Sequence, residues 1–462
     1  MDATLEHLSE IPTQFQELHT YIESIDSLLL VGTGHAKPSD IDIFRTLAEA
    51  VPSKSLQNRV HALVRAFDEN LLNDEAYETI ALVRSTLQIA QYEILQHYLT
   101  TILGRASIIS DDTFSSLQTQ GSENGILNAV KKWLIEIAIA GFDGLSADAM
   151  TPFIPTLEKL VSIPELNETH AILLGFINEI MDYQPIHNID MIPQHRWADL
   201  WSRLMMRTLS PKIQVDCKSV SGDLFLLGLE IQQHTQFVSV ILYGLLKAEE
   251  DLHSVRIVRS SFKVDVIDTS HIWLLFPELK PLITALSSAQ SLKIENGQLS
   301  PGGDLTISYS HLKSGKSFNL IEMMSSCYSI ESPTNNSTPL TLPAFYRHPI
   351  HVSEMIFTDT FQIKGTGTSH IKIGEVSIPL LIPGTFPELD TKTLKTSKWI
   401  FGAFRYDNTC WWFQPFSLGK SDQIASEPIF PGYNFIDTFE GKSRYNPVKI
   451  LKERASRLLR SK

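Results

Sequence analysis

The spacing of the apolar residues changes near residue 210, and this change restricts the fold more than any motif in the chain. Up to about residue 210 they recur at helical intervals. Leu18, Tyr21 and Ile25 fall at i, i+3 and i+7 with Ile22 beside them. Leu56, Val60, Leu63 and Phe67 form a second stripe, and Val130, Leu134 and Ile137 a third with Trp133 alongside. Ala171, Leu174, Ile177 and Ile180 form another. Such intervals place apolar side chains on one helix face. Beyond Pro211 the pattern alternates: Phe225, Leu227, Leu229 and Ile231, then Val238, Val240 and Leu242, then Phe262, Val264 and Val266. A period of two belongs to strands. Asn296-Gly297 reads as a hairpin turn. SHIKIGEVSIPLLIP and SKWIFGAFRYDNTCWWFQPF read as further strands, and one helix, about 278–289, interrupts them.

These patterns predict an α+β, multidomain chain. An all-α bundle or short solenoid of about eight to ten helices is expected over 1–210. An antiparallel β barrel or sandwich is expected over 211–441, because the connections are short enough for antiparallel pairing. The polar, proline-rich stretch 331–345 either divides this β region or loops over it. A basic amphipathic helix is expected over 442–462.

Composition narrows the function classes. The 462 residues carry 39 basic and 52 acidic side chains, a net charge of −13. An acidic whole argues against general nucleic-acid binding, which needs a basic face for phosphates. Cys217, Cys327 and Cys410 stand singly with no CxxC, so neither a zinc ribbon nor a disulfide framework is indicated. Sparse thiols fit a reducing compartment. The amino end, MDATLEHLSE, lacks the apolar run of a secretory signal. No apolar run approaches the ~18 residues of a membrane span. A cytoplasmic protein is the expectation. No cofactor motif is present: Gly315-Lys316-Ser317 has the end of a P-loop, but Ser310 stands where the earlier glycine belongs, so a hairpin loop is expected.

The stretch VGTGHAKPSDIDI, 31–43, poses the sharpest chemical question. A glycine turn followed by two aspartates on a strand is how polymerase-β-like nucleotidyltransferases hold a triphosphate and two Mg²⁺ ions, so Asp40 and Asp42 are the metal-ligand alternative. The residues that follow speak against it. Ile41, Phe44, Leu47 and Val51 keep helical spacing. On a helix the two carboxylates point about 200° apart and cannot share a metal pair. Ser39 is then expected to cap the helix, with Asp42 closing a capping box.

Other candidates are weighed the same way. His348 and His351, in HPIH, are three apart as on a metal-binding helix, but Pro349 opposes a helix and a polar loop is expected. Trp411 and Trp412 must point to opposite strand faces, so one enters the core and the other is free for a protein partner. Trp197 and Trp201 form an apolar ridge one turn apart on the helix 193–209, where Asp199 and Arg203 have i,i+4 spacing. His195 and Arg196 lie on the same helix but show no catalytic partner in sequence. From Lys442 onward eight basic residues face one acid, about +7, leaving −20 on the rest. Lys449, Lys452, Arg454, Arg457 and Arg460 stud this tail, which could dock on an acidic partner, nucleic acid or anionic lipid, or pack on the chain's own acidic surface.

RWADLWSR, within the helix 193–209, resembles a phrase in large uncharacterised bacterial proteins encoded alongside MoxR-type AAA+ ATPases, von Willebrand A-domain proteins and SWIM zinc-finger proteins. The resemblance covers only this helix. It implies a component of a multi-protein system whose ATPase and metal-binding parts are other chains, and it carries over no catalytic residue. The sequence therefore reads as a non-enzymatic scaffold or adaptor acting through protein contacts at Trp197, Trp201, Trp411, Trp412 and the tail. A divergent nucleotidyltransferase at Asp40 and Asp42 and a nucleic-acid-binding module at the tail are the alternatives.

Overall fold

In a computed structural model, the described residues are 5–51, 53–105, 125–146, 150–184, 186, 189–210, 216–234, 237–262, 272–330, 336–365, 369–382, 386–407, 409–421 and 427–440. The basic tail, with Lys449, Lys452, Arg454, Arg457 and Arg460, lies outside them, as do Val264 and Val266.

The fold is α+β, with helices first and antiparallel strands after. Among the described residues eight α-helices precede the first strand: α1 Thr13–Val31, α2 Pro38–Ala50, α3 Lys54–Asp68, α4 Asp74–Ile102, α5 Gly125–Ala140, α6 Ile154–Val161, α7 Asn167–Asp182 and α8 Gln194–Leu209. Leu56, Val60, Leu63 and Phe67 all face one core with Val130, Leu134 and Ile137, whereas Leu18, Tyr21, Ala171 and Leu174 of the other stripes are half-buried. At 29 residues α4 is the spine, about 43 Å long. Its N-cap is Asn73, whose side chain accepts from the Ala76 amide at 3.0 Å.

Twelve strands follow among the described residues: β1 Lys218–His234, β2 Phe237–Ala248, β3 Asp251–Ser261, β4 Gln290–Leu299, β5 Leu305–Thr306, β6 Lys313–Ser317, β7 Glu354–Thr358, β8 Gln362–Lys364, β9 His370–Ile373, β10 Val376–Pro379, β11 Trp399–Asp407 and β12 Cys410–Gly419. They form three sheets: β3-β2-β1-β4-β5 with β6 on β4, β10-β9-β8, and β12-β11-β7. The largest is barrel-like and nearly closed. A parallel bridge joins Arg256 of β3 to Asp304 beside β5. The Arg256 amide donates to Gly303 O at 2.9 Å, and its guanidinium forks onto the Asp304 carboxylate. Val238, Val240, Leu242, Val255 and Ile257 point inward and meet Leu282, Ile283 and Leu286 of the plug helix Lys280–Ser287.

Three sequence expectations change here. Phe225, Leu227, Leu229 and Ile231 do not share a face, because a bulge between Leu226 and Gly228 shifts the register. Leu229 and Ile231 face the barrel core, while Leu227 packs with Phe401 and Phe416 of the third sheet. One extra residue in a strand reverses every side chain after it. Asn296-Gly297 is not a hairpin turn. It lies inside β4, with Asn296 at φ 55° opposite a register shift in β1, so its left-handed tolerance serves a bulge. Gly315-Lys316-Ser317 is edge strand β6, paired with β4, and not a loop. Of the third alternating run, Phe262 follows directly on β3, and Val264 and Val266 lie outside the described residues.

The two halves share packing. Phe15, Tyr92, Leu95 and Leu99 of α1 and α4 lie in one apolar cluster with Ile356, Phe404, Trp411 and Phe413 of the third sheet. Residues 336–345 run along β3, where the Thr338 amide donates to Leu252 O at 2.9 Å and the Ser254 amide to Thr338 O at 3.0 Å. Among the described residues no helix is long and apolar enough to cross a membrane.

Candidate functional site

The VGTG stretch resolves first. α2 begins at Pro38, so Asp40 and Asp42 sit on a helix and do not line a strand. The cap is two residues earlier than expected. Lys37, not Ser39, is the N-cap, and its amide donates to Asp40 Oδ2 at 2.8 Å. Pro at the first helical position fixes the backbone angle and gives up no needed donor, which sets this start. Asp42 instead accepts from Arg45 at 2.6 Å. The glycines serve a backbone crossing. Gly32 and Gly141 both have positive φ, 86° and 87°, at the ends of α1 and α5. A Cβ on Gly32 would meet Ile139 O at 2.5 Å, and one on Gly141 would meet the Val31 carbonyl carbon at 2.5 Å. No phosphate cradle is needed to explain them.

The partner candidates are largely core. Trp197 and Trp201 are fully buried in the helical half; Trp201 Nε1 donates to Leu134 O at 2.8 Å, and Trp197 is ringed edge-on by Phe142, Phe176 and Tyr183. Trp411 is buried against Tyr406. These three are unavailable to a partner, because burying an indole is what made α8 and the third sheet pack. Trp412 is half-buried, on the opposite strand face, and its Nε1 donates to Asp407 O at 3.3 Å. Exposed apolar side chains occur elsewhere. Met181 at the end of α7 and Tyr183, Ile189 and Met191 between α7 and α8 are exposed, Met191 by 68%. The signal in sequence was an apolar content too high for a solvated loop.

Chemistry-bearing residues converge on α8, which stands between two cavities. One, about 910 Å³, is walled by α1, α4, the amino end of α8 and residues 345–351. The other, about 640 Å³, lies between α7, α8 and the outer faces of β2 and β3. Arg196, Leu200 and Arg203 line both, at i, i+4 and i+7 of α8, together with Tyr346 and His351.

The first cavity contains a buried ionic network. Arg84 of α4 is fully buried and reaches Asp26 of α1 at 2.6 Å and 3.1 Å, Asp199 of α8 at 2.5 Å, Ser202 Oγ at 3.2 Å and His195 O at 3.2 Å. Burial alone would weaken the guanidinium's hold on its proton, but the Asp26 and Asp199 charges outweigh it and raise its pKa. Burial likewise opposes ionisation of Asp199, yet Arg84, His348 and His195 hold its carboxyl well below the usual range. His195 Nδ1 lies 2.9 Å from Asp26 Oδ2 and its Nε2 3.7 Å from Asp199 Oδ2. The hydrogen bond to Asp26 raises its pKa above the ordinary value, against the effect of burial. His348 Nε2 reaches Asp199 Oδ2 at 3.3 Å and Gln88 at 3.0 Å, and Gln88 also contacts Asp199.

Sequence spacing misassigned two of these groups. Asp199 and Arg203 do not pair: Asp199 faces Arg84, and Arg203 lies 3.6 Å from Glu168 of α7. His348 and His351 do sit in a polar turn, but that turn projects into the cleft. Burial and the neighbouring charges of His348 and Arg203 push His351 well below its ordinary pKa, so it is neutral. Further arginines join the halves. Arg105 binds Glu354 at 2.5 Å and Met355 O at 2.7 Å, Arg347 binds Glu93 at 2.8 Å, and Arg207 binds Glu168 and, at 3.2 Å, the Tyr346 hydroxyl. Among the described residues no group of three or more His, Cys, Asp or Glu side chains is placed to hold a metal ion.

Chemically, the arrangement can hold charge, fix the two halves together and bind polar groups. Both nitrogens of His195 face carboxylates, which favours the charged imidazolium over a free base. No protein-family model matches the chain, and no curated protein matches it.

Proposed function

We propose that the chain is a non-enzymatic scaffold or adaptor subunit that works by binding, with the cleft along α8 as the place where both halves sense an occupant. One observation supports this above others: the ionisable groups gathered around Arg84 are committed to structural pairing. Asp26 and Asp199 share Arg84, His195 lies between two carboxylates, and Arg105, Arg207 and Arg347 bind helices to the second half. Proton-transfer catalysis wants a base poised near the working pH with a reacting atom in reach. Groups saturated by partners instead hold geometry.

The RWADLWSR resemblance supports placing the subunit in a bacterial, MoxR ATPase-associated system in the cytoplasm, where nucleotide hydrolysis belongs to another chain. The exposed Met181, Tyr183, Ile189 and Met191 offer the apolar contact that the buried tryptophans cannot. The test is sedimentation of the intact chain with a MoxR-type AAA+ ATPase from the same bacterium. A complex that Met191→Asp weakens supports the reading, whereas two species that never co-sediment overturn it. Calorimetry with Mg²⁺ and nucleoside triphosphates checks the enzymatic alternative: a saturable isotherm lost in Asp40→Ala would replace the adaptor with a nucleotidyltransferase.

A further inference from the structure

The cavity between α7, α8 and the barrel has an unusual charge arrangement. Among its lining arginines, Arg256 and Arg405 have their own carboxylates, Asp304 and Glu230, while Arg196 and Arg203 face Glu179 and Glu168. Arg196 is paired with Glu179, and Arg207 takes Glu168 at close range. Arg203 is left with a share of Glu168 at 3.6 Å, and its Nε has no hydrogen-bond partner among the described residues. Burial lowers the proton affinity of this guanidinium, and Glu168 does not restore it. A cation in partial burial with a shared counter-ion is under-neutralised, and an added anion relieves that condition. Arg203 is still 37% exposed while lining the cavity, so a ligand can reach it.

The opposite wall carries apolar side chains among Ser239, Ser254, Ser260 and Arg256, at positions set by strand geometry. Val238, Val240 and Leu242 fill the barrel, so the alternate residues Phe237 and Ile241 must point outward. Val255 and Ile257 point inward, so Val258 points outward and is 45% exposed. Leu340 adds to this wall, and Leu200 of α8 faces the cavity beside Arg203. At about 640 Å³ the cavity has the size of sites that take small organic ligands.

We propose that this cavity binds a small amphipathic organic anion, its carboxylate or phosphate head on Arg203 and its apolar body against Phe237, Ile241, Val258 and Leu340. The proposal deepens the binding reading above and rests on it. The test is calorimetry of the full-length protein with decanoate, decyl phosphate and 1-decanol, each far below its micelle-forming concentration. At least one of the two anions is expected to bind at one site per chain. Decanol is expected to bind at least about tenfold more weakly, the scale of one charge-assisted hydrogen-bonded contact. Arg203→Gln removes the same factor, and Val258→Glu, a change at an exposed site, weakens the anions by repulsion while the thermal midpoint stays put. Decanol binding as tightly as the anions, or unchanged anion binding in Arg203→Gln, overturns the proposal. So does the absence of saturable heat from either anion. If that last result accompanies an intact complex with the ATPase, the ligand class fails and the adaptor reading survives.

Discussion

Replacing Arg84 by methionine tests the central network most directly. The guanidinium is fully buried between Asp26, itself 1% exposed, and the partly buried Asp199. The substitution keeps a long side chain but deletes contacts of 2.6 Å and 3.1 Å to Asp26 and 2.5 Å to Asp199. Asp26 is then left with His195 Nδ1 as its remaining charged partner. Removing one member of a buried pair costs about 3–5 kcal/mol, because the other charge stays desolvated and uncompensated. About 4 kcal/mol is close to a thousandfold in the folding equilibrium. Urea unfolding at pH 7, followed by the near-ultraviolet signal of the buried Trp197 and Trp201, reads the loss. Two further results make the test specific. Arg84→Met combined with Asp26→Asn recovers much of the loss, since a neutral amide needs no counter-ion. The deficit relative to wild type also shrinks as pH falls from 7 towards 5, because unpaired buried carboxylates take up protons there. A loss below about 1 kcal/mol, or a deficit independent of pH, would refute the assignment of Arg84 as the clamp.

Three other outcomes follow from the structure. The folded-state pKa of His195 is raised, so its contribution is complete below its ordinary value of about 6.5 and is lost as pH rises through the folded value. His195→Gln should therefore flatten the loss of stability as pH rises above about 6.5, and an unchanged slope in midpoint against pH would contradict this. Gly141→Ala should destabilise by more than about 1–2 kcal/mol, since its φ of 87° is left-handed and the new Cβ would sit 2.5 Å from the Val31 carbonyl carbon. Gly144→Ala, which meets nothing within 4 Å, is the control and should be near neutral in thermal unfolding. Asp40→Ala should cost about 1 kcal/mol as a lost helix cap. Asp42→Ala should leave the midpoint in place, and any Mg²⁺-dependent stabilisation abolished by either change would speak for a metal site instead.

The sequence by itself determined what depends on local period. The helix stripes, the change to strands after residue 210, the helix under Asp40 and Asp42, and the opposite faces of Trp411 and Trp412 all follow from side chains repeating at 3.6 or 2 residues per turn. Tertiary structure decided whatever depends on register or on residues far apart in the chain. The bulge at Leu226–Gly228 moves Leu227 to a different core from Leu229 without changing the alternation that a reader sees. Asn296-Gly297 has the backbone freedom for either a turn or a bulge, and only pairing with β1 chose the bulge. The cleft was the least legible part. Arg84 and Asp26 are 58 positions apart, Arg84 and Asp199 115, and Gln88 and His348 260. A charge carries no mark of its distant partner, and spacing on α8 favoured Arg203 for Asp199 because local geometry permits that pair. Desolvation across the packed helices selected Arg84 instead, leaving Arg203 facing the cavity with only a shared counter-ion.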